Sequence, residues 1–387
     1  MSQQDRELNL PPIILGGSGF SYQVHPNPQT LPVSAIIRRA FDVGIRAIDT
    51  SPYYEPSEQL MGKALASPEV SSRYAREDYT LMTKVDRISP DEFNYSPDWI
   101  RHSVKRSLKR LGTSYLDVVF CHDVEFVSVS EAVEAVGVLF ELSSKVREGG
   151  GQVKFVGISG YDLDRLVHIA RIVQNKYGRG LDVVQNWAQL TLQNTRLEKF
   201  GIPALREAGV SVICSSSPLA SGLLRAGGVP MGKLGGWHPA PSGLRVAVAK
   251  ASEWVETQNE TLAGLALRFS IAKAMRSSGI EQNVRDVHTI LVPEAGSALE
   301  GDAVAEFDVL RLKRINEAVE QEDLALSHRV RQLLGGWVEY DLEKGKKKQE
   351  VSLLLWPGVS TGLVMVVSLL ILPRGYLPPL LSHLRWW

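Results

Sequence analysis

Short β-branched apolar runs alternate along most of this chain with longer stretches that are apolar on one side and charged on the other, the pattern of a parallel sheet with helical crossovers. The runs predict eight strands: Ile13 to Leu15, Ala47 to Thr50, Tyr79 to Lys84, Asp117 to His122, Lys154 to Ser159, Asp182 to Asn186, Val210 to Cys214 and His288 to Val292. The stretches Val33 to Val43, Pro97 to Leu111, Val129 to Val146, Asp164 to Gln174 and Leu197 to Ala208 predict the helices between them. Gly44, Gly112 and Gly209 each end a helical stretch as C-terminal caps do, and Asp162 and Ser57 stand where N-caps are expected. Strand ends recur every roughly 28 to 37 residues, one βα unit of a closed (β/α)8 TIM barrel of the α/β class. An open, doubly wound sheet is the other arrangement this pattern allows.

Between Cys214 and Val292 the rhythm loosens into a Gly/Pro-rich segment, Ala226 to Gly243, followed by helical patterns at Leu244 to Thr257 and Thr261 to Lys273. Loops of that length in a compact domain are usually functional. A last amphipathic stretch, Ser327 to Leu334, closes the globular part. The reading is therefore a barrel over residues 1–340 and an appendage over 341–387.

The chain has 387 residues, 44% of them hydrophobic and 22% charged, enough for a large core and unlike a disordered or fibrous protein. Forty-three basic residues balance forty-three acidic ones, so no global field favours nucleic acid or an anionic membrane, and a small molecule is the expected partner. Two cysteines, Cys121 and Cys214, exclude a disulfide framework and a Cys-rich metal site and suit a reducing compartment. No apolar run opens the chain, which points to a cytoplasmic protein without a secretory signal.

In a parallel barrel, reacting groups sit at the C-terminal ends of strands or in the loops that follow. Asp49, Lys84 and His122 end three successive predicted strands, and Tyr54 follows the first of them. A tyrosine with an ordinary pKa near 10 is a poor acid or base at neutral pH, but a nearby lysine ammonium stabilises its phenolate. Asp49 would hold that lysine charged and oriented, and His122 would hydrogen-bond the substrate oxygen. The set suits removal of a proton and a hydride from adjacent atoms of an alcohol, or the reverse on a carbonyl, with a nicotinamide as hydride partner.

These residues carry a resemblance. Asp49-Thr50-Ser51-Pro52-Tyr53-Tyr54, Lys84 and Cys121-His122-Asp123-Val124-Glu125-Phe126 are similar to the Asp, Tyr, Lys, His tetrad of the aldo-keto reductase superfamily, and Ser217-Pro218-Leu219-Ala220-Ser221-Gly222-Leu223-Leu224 resembles its cofactor loop. The likeness runs from about Ile13 to Trp337. The His-Asp-Val-Glu-Phe run, with Gly157-Ile158-Ser159-Gly160, resembles the narrower, fungal-type branch of D-arabinose and L-galactose 1-dehydrogenases. The resemblance implies oxidation of the C1 hydroxyl of an aldose to a lactone, with Tyr54 as base, Lys84 as its activator, Asp49 as the lysine's partner and His122 as substrate orienter. It places Ser159 and Gln185 against the nicotinamide carboxamide and Ser217, Leu219 and Gly222 around the pyrophosphate. Gly160 and Ser216 depart from the family, standing where many members have an asparagine and a stacking aromatic ring. Glu294, where NADP-dependent relatives place a cation, implies NAD as cofactor, with NADP the alternative; Gly301-Asp302 also replaces an acidic-asparagine pair at the adenine. Phe20, Tyr22, Phe126 and Trp187 are candidate walls for a sugar ring. Alternatives are an NADPH-dependent aldehyde or ketone reductase of the same superfamily and a non-catalytic, cofactor-sensing barrel.

Competing motifs fail on context. Gly16-Gly17-Ser18-Gly19 follows an apolar run like a dinucleotide turn, but Pro26 and Pro28 break the chain before a helix could start. No histidines have metal-ligand spacing, and no nucleophile elbow occurs. Beyond Tyr340, four lysines between Lys344 and Lys348 precede Val351 to Leu372, a segment without a charge and as long as the roughly twenty residues that cross a bilayer. It reads either as a tail anchor to an intracellular membrane or as a reading frame extended past its normal end.

Overall fold

Strands β1 (Ile13–Gly16), β2 (Ala47–Asp49), β3 (Thr80–Val85), β4 (Leu116–Cys121), β5 (Val153–Gly160), β6 (Val183–Trp187), β7 (Val212–Ser216) and β8 (Val287–Leu291) are hydrogen-bonded in chain order, all parallel, and β8 returns to β1. The barrel is closed, which excludes the doubly wound sheet. The computed structural model describes residues 8–144, 151–225, 228–229, 238–277, 287–291 and 317–342. The chain divides into two compact units, Met1–Tyr340 and Asp341–Trp387, and of the second only residues 341–342 are described. The basic run and the uncharged segment 351–372 lie outside the described residues, among which no helix is long and apolar enough to cross a membrane.

Alternation along each strand sorts its side chains between two apolar compartments. Ile14, Ala47, Met82, Val118, Phe120, Val183, Val212 and Cys214, with Phe155 against them, fill the barrel interior. Their neighbours Ile48, Leu81, Val85, Val119, Cys121, Val156, Ile158, Val184 and Ile213 face the helices. Burial on both faces is why the strands read as continuous apolar runs. Two residues beyond the interior apolar layer, the same columns turn polar: Asp49 above Ala47, Lys84 above Met82, His122 above Phe120, Gln185 above Val183, Ser216 above Cys214. Gly157 belongs to this interior face, where an added Cβ would lie 2.7 Å from the Phe120 ring and 2.4 Å from the Val183 carbonyl oxygen. Leu8 and Leu10 join the interior cluster from the opposite end.

The surrounding helices are α1 (Val33–Asp42), α2 (Ser57–Ala66), α3 (Pro68–Ser71), α4 (Pro97–Leu111), α5 (Val129–Ser144), α6 (Leu163–Tyr177), α7 (Ile202–Glu207), α8 (Ser242–Glu256), α9 (Leu262–Ser277) and α10 (Glu317–Leu334). Local chemistry sets their ends. Ser96 accepts a hydrogen bond from Trp99 N ahead of Pro97, Asp162 accepts one from Arg165 N, and Gly44, Gly112 and Gly209 take left-handed backbone. Ser57 is not the expected cap: it is the first residue of α2, and its hydroxyl bonds Thr50 Oγ1 at 2.9 Å. The buried face of α2 mixes Ser57, Glu58 and Gly62 with Met61, Ala64 and Leu65, which blurs its apolar stripe in the sequence. The stretch predicted as one helix from Leu197 to Ala208 is a π-turn, Leu197–Gly201, followed by α7, since Pro203 lacks the N–H a continuous helix would use.

The barrel unit ends on a latch. Glu339 accepts hydrogen bonds from Thr195 N (2.9 Å) and Oγ1 (2.7 Å), Lys199 Nζ (2.9 Å) and Arg331 Nη2 (2.8 Å), while Gln193 Nε2 donates to the Trp337 and Tyr340 carbonyls, each at 2.9 Å. Burial works to raise the Glu339 carboxyl, but these donors hold it at about 2. A carboxyl depressed on folding stabilises above its unfolded pKa and loses that contribution as pH falls through the folded value. Glu339→Gln should therefore melt several degrees below the parent chain at pH 7, and the gap should close as pH approaches 2; a gap independent of pH would sever the link to ionisation.

Candidate active site

The polar layer at the C-terminal mouth gathers groups that are far apart in sequence. Lys84 Nζ, buried, donates to Asp49 Oδ2 at 2.7 Å and to the Thr50 carbonyl at 3.0 Å, and lies 5.1 Å from the centre of the Tyr54 ring. The Tyr54 ring meets His122 edge-on, 5.7 Å between centres. Tyr54 occupies the turn after β2, where its N–H bonds the Ser51 carbonyl and its own carbonyl accepts from Ser57 N. Asp49, Tyr54, Lys84 and His122 thus share one site, as their positions on successive strands predict, with His122 one residue beyond β4 rather than within it.

Electrostatics divide the labour. Burial pushes the Asp49 carboxyl up, and the Lys84 ammonium and the Gln185 amide pull it back. Burial raises the Tyr54 phenol well above its ordinary value, and the Asp49 charge adds to this. The easing expected from Lys84 does not offset this burial, and Tyr54 stands protonated. Burial lowers His122 to about 3, against the pull of Asp123, so the imidazole is neutral at working pH. Its Nδ1 is 3.1 Å from Ser51 Oγ, which also accepts from Tyr53 N at 3.1 Å, and its Nε2 is 3.5 Å from Asp123 Oδ2. Ser51 donating to Nδ1 leaves the imidazole proton on Nε2, where the Asp123 carboxylate can receive it.

Of the cofactor residues implied by the resemblance, Ser159 and Gln185 face this mouth from β5 and β6, and Ser217, Leu219 and Gly222 follow β7. Gln185 Nε2 donates to Asp49 Oδ2 at 3.3 Å, and that carboxylate fixes the amide's orientation. Its buried Oε1 is left without a partner among the described residues, an acceptor suited to a carboxamide N–H. Ser159 Oγ makes only a long 3.4 Å bond to the Cys121 carbonyl. Position 160 has no room for a side chain, because the Glu125 carboxylate, which accepts Tyr161 N at 2.7 Å, lies 2.1 Å from where a Cβ would be. After β7, Ser217, Ala220, Ser221 and Gly222 have φ of 54°, 50°, 56° and 87°. Left-handed backbone costs a non-glycine residue roughly 1–2 kcal/mol, and such turns expose N–H groups to an anion. Ser217, Leu219 and Gly222 thus fit a pyrophosphate loop. Glu294 and the Gly301-Asp302 pair lie outside the described residues.

The expected sugar walls divide. Tyr22 and Phe126 are exposed, 55% and 47%, Phe126 stacking on Phe93 at 5.0 Å, and Trp187 is half-buried, 4.7 Å from Tyr161. Phe20 is 1% exposed and packed in the cluster between strands and helices, so it offers no open face to a sugar. Ser51, Tyr53, Arg87 and Asp123 also line the mouth and had been given no role. Arg87 stands two residues past β3, where the strand-end rule would have flagged it.

The profile of the Aldo/keto reductase family matches residues 12–305. D-arabinose 1-dehydrogenase of Saccharomyces cerevisiae is 39% identical over 267 residues, 68% of this chain and 76% of that protein. L-galactose dehydrogenase of Arabidopsis thaliana is 34% identical over 247 residues, 63% and 71% of the two chains, and NADH-specific methylglyoxal reductase of Escherichia coli is 31% identical over 207 residues, 49% and 56%. With the profile covering most of its length and a relative 39% identical over 68% of it, the chain belongs to the aldo/keto reductase family.

Proposed function

We propose that the protein oxidises the C1 hydroxyl of an aldose such as D-arabinose to the lactone, with NAD as hydride acceptor. The observation that carries this reading is the buried Asp49–Lys84 pair beneath Tyr54, facing a neutral His122. Members of the family are oxidoreductases that work with a nicotinamide dinucleotide. When bound, that dinucleotide supplies the acceptor for the hydride leaving C1. Ser159 and Gln185 would hold its carboxamide, and Ser217, Leu219 and Gly222 its pyrophosphate; NAD rather than NADP is supported by Glu294.

His122 orients the substrate by donating Nε2–H to the C1 oxygen, which it does uncharged. Tyr54 takes the C1 hydroxyl proton at its phenolic oxygen, while Lys84 stabilises the negative charge that oxygen carries when deprotonated. Asp49 accepts from Lys84 and points it at the mouth. In the reverse direction Tyr54 returns the proton to a carbonyl oxygen, so the same four residues serve reduction, the direction named for the Escherichia coli relative.

Because Tyr54 is raised, oxidation should gain rate with pH into the alkaline range, where the base is deprotonated, and reduction should be steady and decline only there. Neither profile should show a limb between pH 5 and 8 from His122. Steady-state rates measured in both directions check this; an oxidation rate that falls above pH 8 in a stable protein contradicts Tyr54 as base. The assignment itself is tested by supplying NAD and NADP in turn with pentoses and hexoses. Activity only with NADPH and simple carbonyl compounds would replace the aldose reading by the reductase one.

A further inference from the structure

Two strand-end turns put a second charged pair beside the tetrad. Asp86, just past β3, has φ 84°, and Asp123, just past His122, has φ 56°. These left-handed residues turn the chain so that the Arg87 guanidinium and the Asp123 carboxylate meet, Arg87 Nη1 donating to Asp123 Oδ2. Arg87 is held over the Tyr53 ring at 4.2 Å, with Phe93 and Phe126 at 5.3 and 5.5 Å, and its Nε and Nη2 donate to the Ser89 and Pro90 carbonyls. The guanidinium is thereby fixed, and it fixes the carboxylate. Asp123 is 4% exposed, and its Oδ2 lies 3.5 Å from His122 Nε2, the atom assigned above to the reacting oxygen.

The geometry points to Asp123, held by Arg87, as the residue that reads the hydroxyl on the carbon next to the reacting one, selecting α-hydroxy substrates, that is aldoses, over plain alcohols and aldehydes. This rests on the proposed aldose reading. A substrate oxygen hydrogen-bonded to His122 Nε2 displaces the long Asp123 contact, and the oxygen on the adjacent sugar carbon then falls within reach of the same carboxylate. Ionised carboxylate oxygens offer about four acceptor sites, and Arg87 takes one. A substrate without that hydroxyl leaves a desolvated carboxylate short of a donor, which sites built for a hydroxyl penalise strongly. Exposed Phe126, stacked on Phe93 beside the pair, gives the apolar face of a sugar ring a surface to lie on.

The test uses the full chain with D-arabinose and 2-deoxy-D-ribose, which is D-arabinose lacking its 2-hydroxyl. The parent protein should favour D-arabinose by roughly 10- to 100-fold in kcat/KM, the worth of one charged hydrogen bond. Asp123→Asn, whose amide side chain tolerates the left-handed backbone, should shrink that preference at least fivefold, and the ratio within one variant cancels any loss of folded protein. Arg87→Lys keeps the charge without the fixed direction and should weaken the preference in the same sense. An unchanged preference in both variants overturns the assignment. Loss of activity on both sugars in a variant that still melts like the parent would also overturn it, placing Asp123 in service of His122 instead. Oxidation of neither sugar, nor of any other pentose or hexose, by the parent protein would sink the aldose reading itself, and this subsite with it.

Discussion

Tyr54→Phe should lower oxidative kcat by about 10²- to 10⁴-fold, the usual worth of a positioned acid or base, while dinucleotide affinity stays essentially unchanged. The expectation follows from what each group can hold. Lys84 is engaged by Asp49 and the Thr50 carbonyl, and His122 is neutral with its Nδ1 taken by Ser51, so no other buried group of the tetrad is free to take a proton from the C1 hydroxyl. The phenylalanine keeps the ring that packs edge-on to His122 and under which Lys84 sits, so the mouth keeps its shape. Steady-state rates paired with a fluorescence titration of the dinucleotide separate the two effects. Turnover within a few-fold of the parent would remove Tyr54 from the role of base, and a matching loss of dinucleotide affinity would mean that the ring serves binding.

Much of this site was legible because barrel strands obey a period of two. Once Ala47, Met82 and Phe120 are interior, Asp49, Lys84 and His122 must emerge above them, and no tertiary information is needed to see it. Helix α2 was hidden for the converse reason: its buried face carries Glu58, which accepts from Thr83 Oγ1 at 2.8 Å, and Gly62, whose Cβ would strike the Arg110 carbonyl oxygen at 2.0 Å. A buried face that mixes these two with Met61, Ala64 and Leu65 shows only a weak hydrophobic period. Phe20 follows a strand end as a sugar wall would, but its 3₁₀ turn folds the ring back into the outer core. The Arg87–Asp123 pair depends on two left-handed residues that are not glycine, and composition gives no warning of such turns. The phenol's resistance to ionisation is likewise a property of burial and of a charge competition that distance, not sequence, decides.

Lys84→Met should destabilise the fold by about 3–5 kcal/mol, the cost of stranding one member of a buried ion pair, and abolish turnover as well. Methionine fills the space beneath Tyr54 and beside Phe120 but leaves Asp49 with only the Gln185 amide at 3.3 Å, one of its oxygens already lacking a partner among the described residues. Burial already raises the Asp49 carboxyl, and losing the ammonium raises it further. A group whose folded pKa lies above its unfolded value stabilises most when protonated and loses that contribution as pH rises through the folded value. The single variant should therefore resist urea better at pH 5 than at pH 8, and by a wider margin than the parent chain, in which the ammonium holds the same carboxyl lower. Asp49→Asn combined with Lys84→Met removes the stranded charge, so most of the lost stability should return and the pH dependence from this site should vanish. Turnover should not return, since nothing then supports charge on the Tyr54 oxygen. A double variant that regains activity along with stability would show that the pair holds the barrel together and takes no part in the chemistry at its mouth.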